Sequence, residues 1–549
     1  MSLITLSLTL AACLITLPYL WSTWSHTRKA RRWGCAPIPR YPSDILGITT
    51  LREILQADKD GTIPNLLQRR VETVSAREGR PVSTFSIRQM GRESIFTCDP
   101  ANVQAMLATK FKDFELGPAR RHTLYSMLGE GTFTSDGEAW MRSRALLRPQ
   151  FSREQVSDLE LEERHVQQAM LAMPVDPTTG WSSEIDLQAI FYRLTIDSAT
   201  EFLVGESSNS QAEALRNGGS LPADHFSYHF DRGQWYVAQR ARFERLHWLV
   251  DNKESRHVIR QVHAYVDRFV AAALQTAAAA EGKPKAKANP SNYVFLEALV
   301  NTTKENPSPS PIELRSQLLN ILLAGRDTTA SLLSWSALML ARHPPIFTKL
   351  RSTILASFGP YTTKNKSITF SSLKSCRYLQ HFLSEVLRLY PAVPVNRRVA
   401  KQDTTLPRGG GPDGSAPVYL RAGTNVIYSP FVTQRRGEFF GGDAEVFDPD
   451  RWDRTGPSRP KARDRASGGT GWEYLPFNGG PRVCLGQQFA LTEAAYVLVR
   501  LLQRFDAMEE VSPELGSGEE GRGIKYGLTL TMAPGESVVV RLREAREGE

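Results

Sequence analysis

Residues 477–486 read FNGGPRVCLG and place three glycines, a proline and an arginine around one cysteine, Cys484. The residues that follow, LGQQFALTEAAYVLVRLLQRF, repeat apolar side chains with the period of an amphipathic helix. Cys484 is therefore expected near a helix N-terminus, where the helix dipole and free backbone N–H groups favour a thiolate. Gly479, Gly480 and Gly486 let the backbone approach a flat, bulky group. The stretch predicts either a cysteine that binds a ligand or an inert buried thiol.

A thiolate among glycines, with no second metal ligand nearby in sequence, fits neither a zinc site nor an iron–sulfur cluster. It fits the single axial thiolate of a haem iron. Arg482 lies two residues away and can reach an anionic group on the same ligand, and Phe477 can pack over the sulfur. Without its neighbours, Cys484 is equally well explained as a buried, unreactive cysteine.

The bulk composition is that of a globular protein, with 549 residues, 41% hydrophobic and 23% charged residues, and a net charge of +9. The length alone favours two to four domains. The body of the chain has no dense block of lysine and arginine, so nothing favours a nucleic-acid partner. The five cysteines are scattered and form no C-x-x-C pair, which disfavours a disulfide framework and a structural zinc site and indicates a reduced, cytosol-facing chain.

The N-terminus has the pattern of a membrane anchor. Residues 2–24 are mostly apolar and long enough to span about 30 Å as a helix, and Trp21 and Trp24 fall at its expected interface. The basic residues that follow, from Arg28 to Arg32, place the rest of the chain on the cytosolic side. We therefore predict an anchor over 1–26 and a basic, proline-rich linker over 27–45, extended at 35–42. A cleaved signal peptide is the alternative.

The clearest helix is predicted from Ser310 to about Arg342. Ser310-Pro311-Ile312-Glu313 is a capping-box sequence with proline in the first turn, and Pro344 and Pro345 end the helix. Its middle, LLNILLAGRDTTASLLSW, interrupts an apolar run with polar residues and a glycine. The interruption indicates either a kink, in which hydroxyls bond back to the preceding turn, or a groove for a ligand with a proton route beside it.

Other segments suggest a mostly helical chain with a minority of strands. Helical periodicity covers 153–173 and 269–280, and the alternation in 525–543 is typical of a hairpin. The stretch 406–418 is interpreted as a glycine-rich connection between two strands, 395–400 and 418–428. Residues 276–292 and 454–471 are interpreted as loops of low complexity.

Several motifs, in order along the chain, resemble those of cytochrome P-450 monooxygenases. F-x-x-G-x-R-x-C-x-G, the haem-binding signature of that family, fits 477–486, and A-G-x-D-T-T, its oxygen-binding helix motif, fits 324–329. The family's E-x-x-R fits 385–388, in HFLSEVLRLYP, and its W-x-x-x-R fits 140–144, in GEAWMRSRALLRPQF. Because these motifs extend over most of the sequence, the resemblance replaces the multi-domain expectation with one mainly α catalytic domain with small β-sheets over 46–549, preceded by a single transmembrane helix.

The resemblance implies haem b with an axial thiolate and a role for each matched residue. Cys484 would bind the iron, Asp327 would relay protons, and Thr328 would donate a hydrogen bond to dioxygen. Glu385, Arg388 and Arg451 would form a buried structural network. The residues expected at the cofactor are Trp140, Arg144, Ala324, Gly325, Arg398, Phe477, Gly480, Arg482 and Gly486.

The implied reaction inserts one oxygen atom from O2 into a C–H bond of a lipophilic substrate. No flavin or nicotinamide fingerprint is visible, so the family implies an NADPH–cytochrome P-450 reductase as electron donor, on an endoplasmic-reticulum membrane with the catalytic domain in the cytosol. Longer stretches such as PFNGGPRVCLGQQFALTEA resemble the fungal subfamily that hydroxylates n-alkanes and fatty acids at the terminal carbon.

Three departures keep other substrates open. Gln434 stands where that subfamily is expected to carry histidine, the 454–471 loop is longer than expected, and Arg397 is charged where apolar residues are common. They allow a secondary-metabolite enzyme with a polyketide- or terpenoid-like substrate. A haem-thiolate enzyme that rearranges peroxides without a reductase is the alternative of another class, and Asp327-Thr328 favours monooxygenation over it.

Overall fold

The computed structural model describes residues 17, 20–151, 159–279, 294–302, 310–361, 368–454, 471–511 and 523–546. The described part is mainly helical, as the sequence predicts. Besides a helix over 20–32, its α-helices are Ile48–Lys59, Ile63–Glu78, Pro100–Gln104, Pro118–Leu128, Gly137–Leu147, Glu160–Leu171, Leu187–Val204, Ser210–Arg216, Phe226–Phe243, Lys253–Ala279, Phe295–Thr302, Pro311–Arg342, Pro344–Phe358, Phe370–Ser375, Arg377–Leu389, Pro430–Thr433, Gly437–Phe440 and Gln487–Arg504.

The strands form small sheets. The largest has the order Thr84–Gln89, Arg92–Thr97, Asn425–Tyr428, Asn396–Ala400, Phe114–Glu115, with one parallel pair between its second and third strands. An antiparallel three-stranded sheet has the order Ile185–Asp186, Val539–Glu544, Phe505–Glu510. Two hairpins complete the set, Thr404–Gly410 with Ala416–Leu420 and Tyr526–Leu528 with Met532–Pro534.

The helix Pro311–Arg342, called the central helix below, has the predicted bounds. The Ser310 hydroxyl accepts a hydrogen bond from the backbone N–H of Glu313, which satisfies one of the free donors at the helix start. Most of its side chains are buried, and Trp335 is fully buried and stacked on Tyr390 with ring centroids 4.2 Å apart. Because nearly every face is covered, this helix runs through the core, and any exposed face within it has to border an opening.

The structure brings Glu385, Arg388 and Arg451 together. Two nitrogens of Arg388 donate to the Glu385 carboxylate at 2.7 and 2.9 Å, and Arg451 Nε donates to it at 3.2 Å. All three side chains are fully buried. Both guanidinium groups also donate to backbone carbonyls of the segment 434–446. The network therefore joins the helix Arg377–Leu389 to the chain that leads toward Cys484.

Two expectations about strands were confirmed only in part. The 525–543 stretch does contain a hairpin, but Val539–Glu544 pairs with Phe505–Glu510 instead of continuing it. The glycine-rich stretch 406–418 is more than a connection, since it contributes to a hairpin of its own. Alternation indicates that a segment is a strand, but it does not specify which distant segment completes its hydrogen bonds.

The N-terminal part is described from residue 20, apart from residue 17. Residues 20–32 form a helix, and 35–42 are not helical, with one isolated β-bridge from Arg40 to Ser86. Lys29 Nζ lies 2.7 Å from a carboxylate oxygen of Asp403, which also accepts a hydrogen bond from Tyr419. Within the described residues no helix is both long and apolar enough to cross a bilayer. Most of the predicted 1–26 anchor lies outside them, as does the loop 455–470.

Candidate active site

The chain approaches Cys484 through a tight turn. Gly480–Arg482 form one turn of 3-10 helix, and the backbone N–H of Cys484 donates to the carbonyl of Phe477 at 3.0 Å. The helix Gln487–Arg504 begins three residues after the cysteine. Burial raises the pKa of the Cys484 thiol, while the backbone N–H of Gly486 and the charge of Arg144 act in the opposite direction. The loop thus supplies two features that stabilise a thiolate, a helix start and a nearby cation.

The Cys484 side chain has accessible surface, yet protein atoms around it desolvate the thiol. A side chain that borders an opening inside the protein has both properties. At two positions of the loop, neighbouring protein atoms leave no room for a side chain larger than that of glycine. A Cβ on Gly480, whose φ is +68°, would lie 1.8 Å from the carbonyl oxygen of Leu107, and one on Gly479 would lie 2.6 Å from the Trp472 ring. Larger residues would therefore displace the loop that carries Cys484.

Arginines surround the loop. Arg482 donates to the Asp136 carboxylate at 2.7 Å and to the carbonyl of Ser135 at 3.0 Å, and its guanidinium lies 4.4 Å from the centroid of the buried Trp140 ring. Arg144 donates to the carbonyl of Val483, next to the cysteine, at 2.9 Å. The predicted W-x-x-x-R pair and the arginine of the cysteine loop are therefore in one place.

Arg398 and Arg120 complete this group. Arg398 is buried, and Asn396 Oδ1 accepts from Arg120 at 2.9 Å and from Arg398 at 3.4 Å. Arg120, on the helix Pro118–Leu128, belongs to none of the motifs recognised in the sequence. We call Arg120, Arg144, Arg398 and Arg482 the arginine cluster.

Among the described residues, the arginine cluster carries more positive charge than its neighbours balance, with Asp136 paired to Arg482. Burial, with the charges of Arg398, Arg397 and Arg482, lowers the pKa of Arg120 to about 9. Burial and nearby arginines lower the pKa of Arg482 to about 10, although Asp136 opposes this. Buried cations that repel one another are stabilised by an anionic ligand. A flat ligand with two carboxylates and a metal that accepts a thiolate fits this donor set, and haem has all of these features.

Arg120 gives a direct test of this fit. Arg120→Gln is expected to weaken haem binding at least tenfold, because a charge-assisted hydrogen bond to a carboxylate contributes about 1.5–3 kcal/mol. The measurement is the transfer of haem from the loaded protein to an acceptor apoprotein. Arg121→Gln is the matched control, since the neighbouring Arg121 is half-exposed and pairs with Glu130. Equal haem release from the two variants would contradict the assignment.

The central helix has one face that is not covered. Ile321, Ala324, Gly325 and Thr328 are partly exposed within an otherwise buried stretch, and their spacing puts them on one side of the helix. A Cβ on Gly325 would meet nothing within 4 Å. Thr328 Oγ1 donates to the carbonyl of Ala324 at 2.6 Å. The structure therefore shows one feature of each interpretation made from the sequence, since the hydroxyl bonds back to the preceding turn and the glycine faces open space.

Asp327 points away from that face into the protein. Its side chain is about 3% exposed, and Arg326 Nη1 donates to its carboxylate at 3.0 Å. Burial, with a further contribution from Asp231, raises the pKa of Asp327 to about 6 although Arg326 opposes the shift. A carboxyl group with this pKa exchanges protons close to neutral pH.

Gln434 has a structural role that the sequence did not reveal. Its side-chain amide nitrogen donates to the carbonyls of Leu387 and Arg388 at 3.0 and 2.9 Å, and its oxygen accepts from the backbone of Leu475 at 2.8 Å. Two donors and one acceptor are used at once, which a neutral histidine cannot supply. Gln434 therefore joins the end of the helix Arg377–Leu389 to the segment before the cysteine loop.

A second buried acid lies near the site. Glu493, on the helix after Cys484, accepts a hydrogen bond from Ser198 at 2.7 Å, and burial raises its pKa to about 7. Thr329, next to Thr328 in sequence, is close to it. Glu493 was not predicted from the sequence, although an acidic residue within the apolar run LTEAAYVLV is a pattern that could have identified it.

Comparison with known proteins agrees with this geometry. The family model for cytochrome P450 matches residues 62–521. A cytochrome P450 monooxygenase named g430 from Fusarium sp is 45% identical over 498 residues, which cover 89% of this chain and 82% of that protein. The monooxygenase alt2 from Alternaria solani is 42% identical and covers 94% of both chains. Cytochrome P450 52A12 from Debaryomyces hansenii is 42% identical over 93% of both chains.

The fold has a counterpart among solved structures. The crystal structure of the cytochrome P450DA heme domain superimposes with a TM-score of 0.71, over 93% of this chain and 98% of that one, at 21% sequence identity. At this identity the likeness concerns the fold. Together with the family match over most of the chain, it leads to one conclusion: the chain belongs to the cytochrome P450 family of haem-thiolate monooxygenases.

Proposed function

We propose that this monooxygenase hydroxylates the terminal carbon of a long-chain alkane or fatty acid, using O2 and electrons from an NADPH–cytochrome P-450 reductase. The observation that carries the reaction type is the uncovered face of the central helix at Ala324, Gly325 and Thr328, directly beside the buried acid Asp327. The substrate class rests on the long sequence resemblance to the fungal n-alkane and fatty-acid hydroxylases.

Cys484 is proposed as the thiolate ligand of the haem iron, and the arginine cluster, with Trp140 packed on Arg482, as the site of the haem carboxylates. When bound, the haem supplies activation of O2 and transfer of one oxygen atom to a C–H bond. Phe477 and Gly480 shape the loop that holds Cys484 in place. The open space beside Gly325 on the central helix leaves room for a small molecule.

Asp327 and Thr328 are proposed to move protons. With a pKa of about 6, Asp327 can take a proton from the solvent side and release it inward. Thr328 Oγ1 donates to Ala324 in the structure, and rotation about its Cα–Cβ bond would present the same proton to the open face. This pair favours monooxygenation over peroxide rearrangement, which does not need proton delivery.

The electron donor is proposed to dock near Cys484. Arg142 and Arg148 are exposed on the segment whose Arg144 bonds to the cysteine loop. Positive charge there would steer an acidic flavoprotein. An anchor within residues 1–26 would hold the protein on the endoplasmic-reticulum membrane, facing the cytosol, where such a reductase and lipophilic substrates are concentrated.

The test is product analysis with the protein, reductase and NADPH, after a spectral binding screen of n-alkanes, fatty acids and aromatic polyketides. We expect binding to increase with chain length, because each buried CH2 contributes about 0.8 kcal/mol, and a product hydroxylated at the terminal carbon. A polyketide that is hydroxylated while no alkyl chain reacts would support a secondary-metabolite enzyme instead. A peroxide that is converted without reductase would support a rearranging enzyme.

A further inference from the structure

Arg326, the variable residue of A-G-x-D-T-T, lies between two carboxylates. Its Nη1 donates to Asp327 at 3.0 Å and also forms an ion pair with Asp231 on the neighbouring helix Phe226–Phe243. Arg326 and Asp327 are each about 3% exposed, whereas the Asp231 side chain is 53% exposed. The three groups therefore form a chain of alternating charge from the protein surface to the buried acid.

The surroundings fix Arg326 tightly. Its guanidinium lies 4.7 Å from the centroid of the Tyr192 ring, on the helix Leu187–Val204, and 5.8 Å from that of Phe230. Asp231 and Asp327 raise the pKa of Arg326 in spite of its burial, so it stays charged. A planar guanidinium held between aromatic rings is preorganised for its hydrogen bonds.

We propose that Arg326 is a positioning residue that holds the Asp327 carboxylate in its buried position, and that Asp231 is the outer anchor of Arg326. The proposal rests on the proton-relay role given to Asp327 above. It assigns to Arg326 and Asp231 an effect on the reaction although neither belongs to the proposed cofactor site.

The charges on every side of Asp327 give the expected direction of each change. Arg326 is on its own helix, Tyr192 is on the helix Leu187–Val204, and Asp231 and Gln234 are on the helix Phe226–Phe243, where Gln234 Nε2 lies 3.4 Å from Asp327. Asp231 repels the Asp327 carboxylate and Arg326 attracts it. Removal of Asp231 should therefore lower the pKa of Asp327, and removal of Arg326 should raise it.

The experiment measures this pKa without relying on turnover. Thermal unfolding of the haem-loaded protein is followed against pH with and without Asp327→Asn, in the wild-type, Asp231→Asn, Arg326→Gln and Arg326→Lys backgrounds. The stability of the protein relative to its Asp327→Asn variant should fall as the pH rises, and the pH at which this fall levels off on the alkaline side reports the folded-state pKa of Asp327. We expect a shift on the order of one pH unit downward for Asp231→Asn and upward for Arg326→Gln. Arg326→Lys keeps the charge, so the pKa of Asp327 should stay closer to its wild-type position than in Arg326→Gln.

Glu254→Gln is the matched control. Glu254 pairs with Arg232, which lies on the same helix as Asp231, so this variant should leave the pKa of Asp327 unchanged. The proposal would be overturned if the pKa of Asp327 stayed unchanged in both Asp231→Asn and Arg326→Gln, or if it shifted in the same direction in both. If Arg326→Gln does not fold, Asp231→Asn alone decides the test, because Asp231 is half-exposed and its substitution should still lower the pKa of Asp327.

A second readout separates this proposal from the proposed function. Electrons from NADPH end either in product or in released peroxide. The pH dependence of the fraction that ends in product should shift between variants in parallel with the pKa of Asp327 from the unfolding data. Thr328→Ala and Asp327→Asn should both increase peroxide release. If these two variants leave peroxide release unchanged while the pKa of Asp327 shifts as expected, the proton-relay role of Asp327 and Thr328 is wrong. The placement of Asp327 by Arg326 then stands on the unfolding data alone.

Discussion

Glu385→Gln is expected to lower the free energy of unfolding by about 3–5 kcal/mol, because it leaves two buried guanidinium groups without their shared counter-charge. Arg388 and Arg451 are both fully buried and both donate to this carboxylate. The backbone N–H of Asp448 donates to the same group at 3.0 Å. Asp443, which contacts Arg451 at 2.8 Å, is 37% exposed and supplies only part of the missing charge.

The chain contains a matched control with the same spacing. Glu213 and Arg216 are also an i, i+3 pair, with 2.6 Å between the charged atoms, but Arg216 is 68% exposed. Glu213→Gln should therefore cost less than about 1 kcal/mol. The measurement is chemical unfolding of both variants beside the wild-type protein, with haem content recorded at each step. Similar unfolding midpoints for the two variants would show that burial does not set the energy of the Glu385 network.

The sequence predicted local features well. The central helix was placed with its first and last residues because its ends have chemical signals, a serine cap with proline at the start and a proline pair at the end. The helix after Cys484 was predicted from its apolar periodicity, and it spans Gln487–Arg504. Strand partners were predicted less well. Val539–Glu544 joins Phe505–Glu510 and Ile185–Asp186, which are distant in sequence, and no local pattern specifies that choice.

The site shows the same division. Residues that a spaced motif predicts at the cofactor, such as Trp140, Arg144 and Arg482, lie together in the structure. Arg120 was not found, because a lone arginine at a helix start has no pattern, and only the tertiary fold brings it to Asn396.

Two further groups needed the folded chain. Asp231 lies 95 residues before its partner Arg326. Gln434 was noticed only as a departure from an expected histidine, and its three hydrogen bonds explain it without reference to a substrate. The pKa of Asp327 likewise depends on burial and on neighbours from other helices, which sequence spacing does not report.

Cys484→Ser is expected to abolish product formation that depends on NADPH. A serine hydroxyl does not ionise near neutral pH and donates far less electron density to a metal than a thiolate does, and the thiolate is what favours O–O cleavage. The fold should survive, because the substitution replaces one atom in a side chain with exposed surface and leaves the backbone bond from residue 484 to the Phe477 carbonyl intact. Loss of activity in a Cys484→Ser protein that retains haem would therefore identify Cys484 as the ligand of the haem iron.

Cys376→Ser is the matched control. Cys376 is a buried free cysteine at the residue before the helix Arg377–Leu389, a position where serine is favoured as a helix cap. It should keep both activity and haem.

The most direct measurement is the absorption spectrum of the reduced protein with carbon monoxide, for the wild-type, Cys484→Ser and Cys376→Ser proteins at equal haem content. We predict the red-shifted Soret band of a thiolate ligand in the wild-type and Cys376→Ser proteins, and its absence in Cys484→Ser. The same band in haem-loaded Cys484→Ser, or no such band in the folded, haem-loaded wild-type protein, would contradict the assignment of Cys484 as the iron ligand.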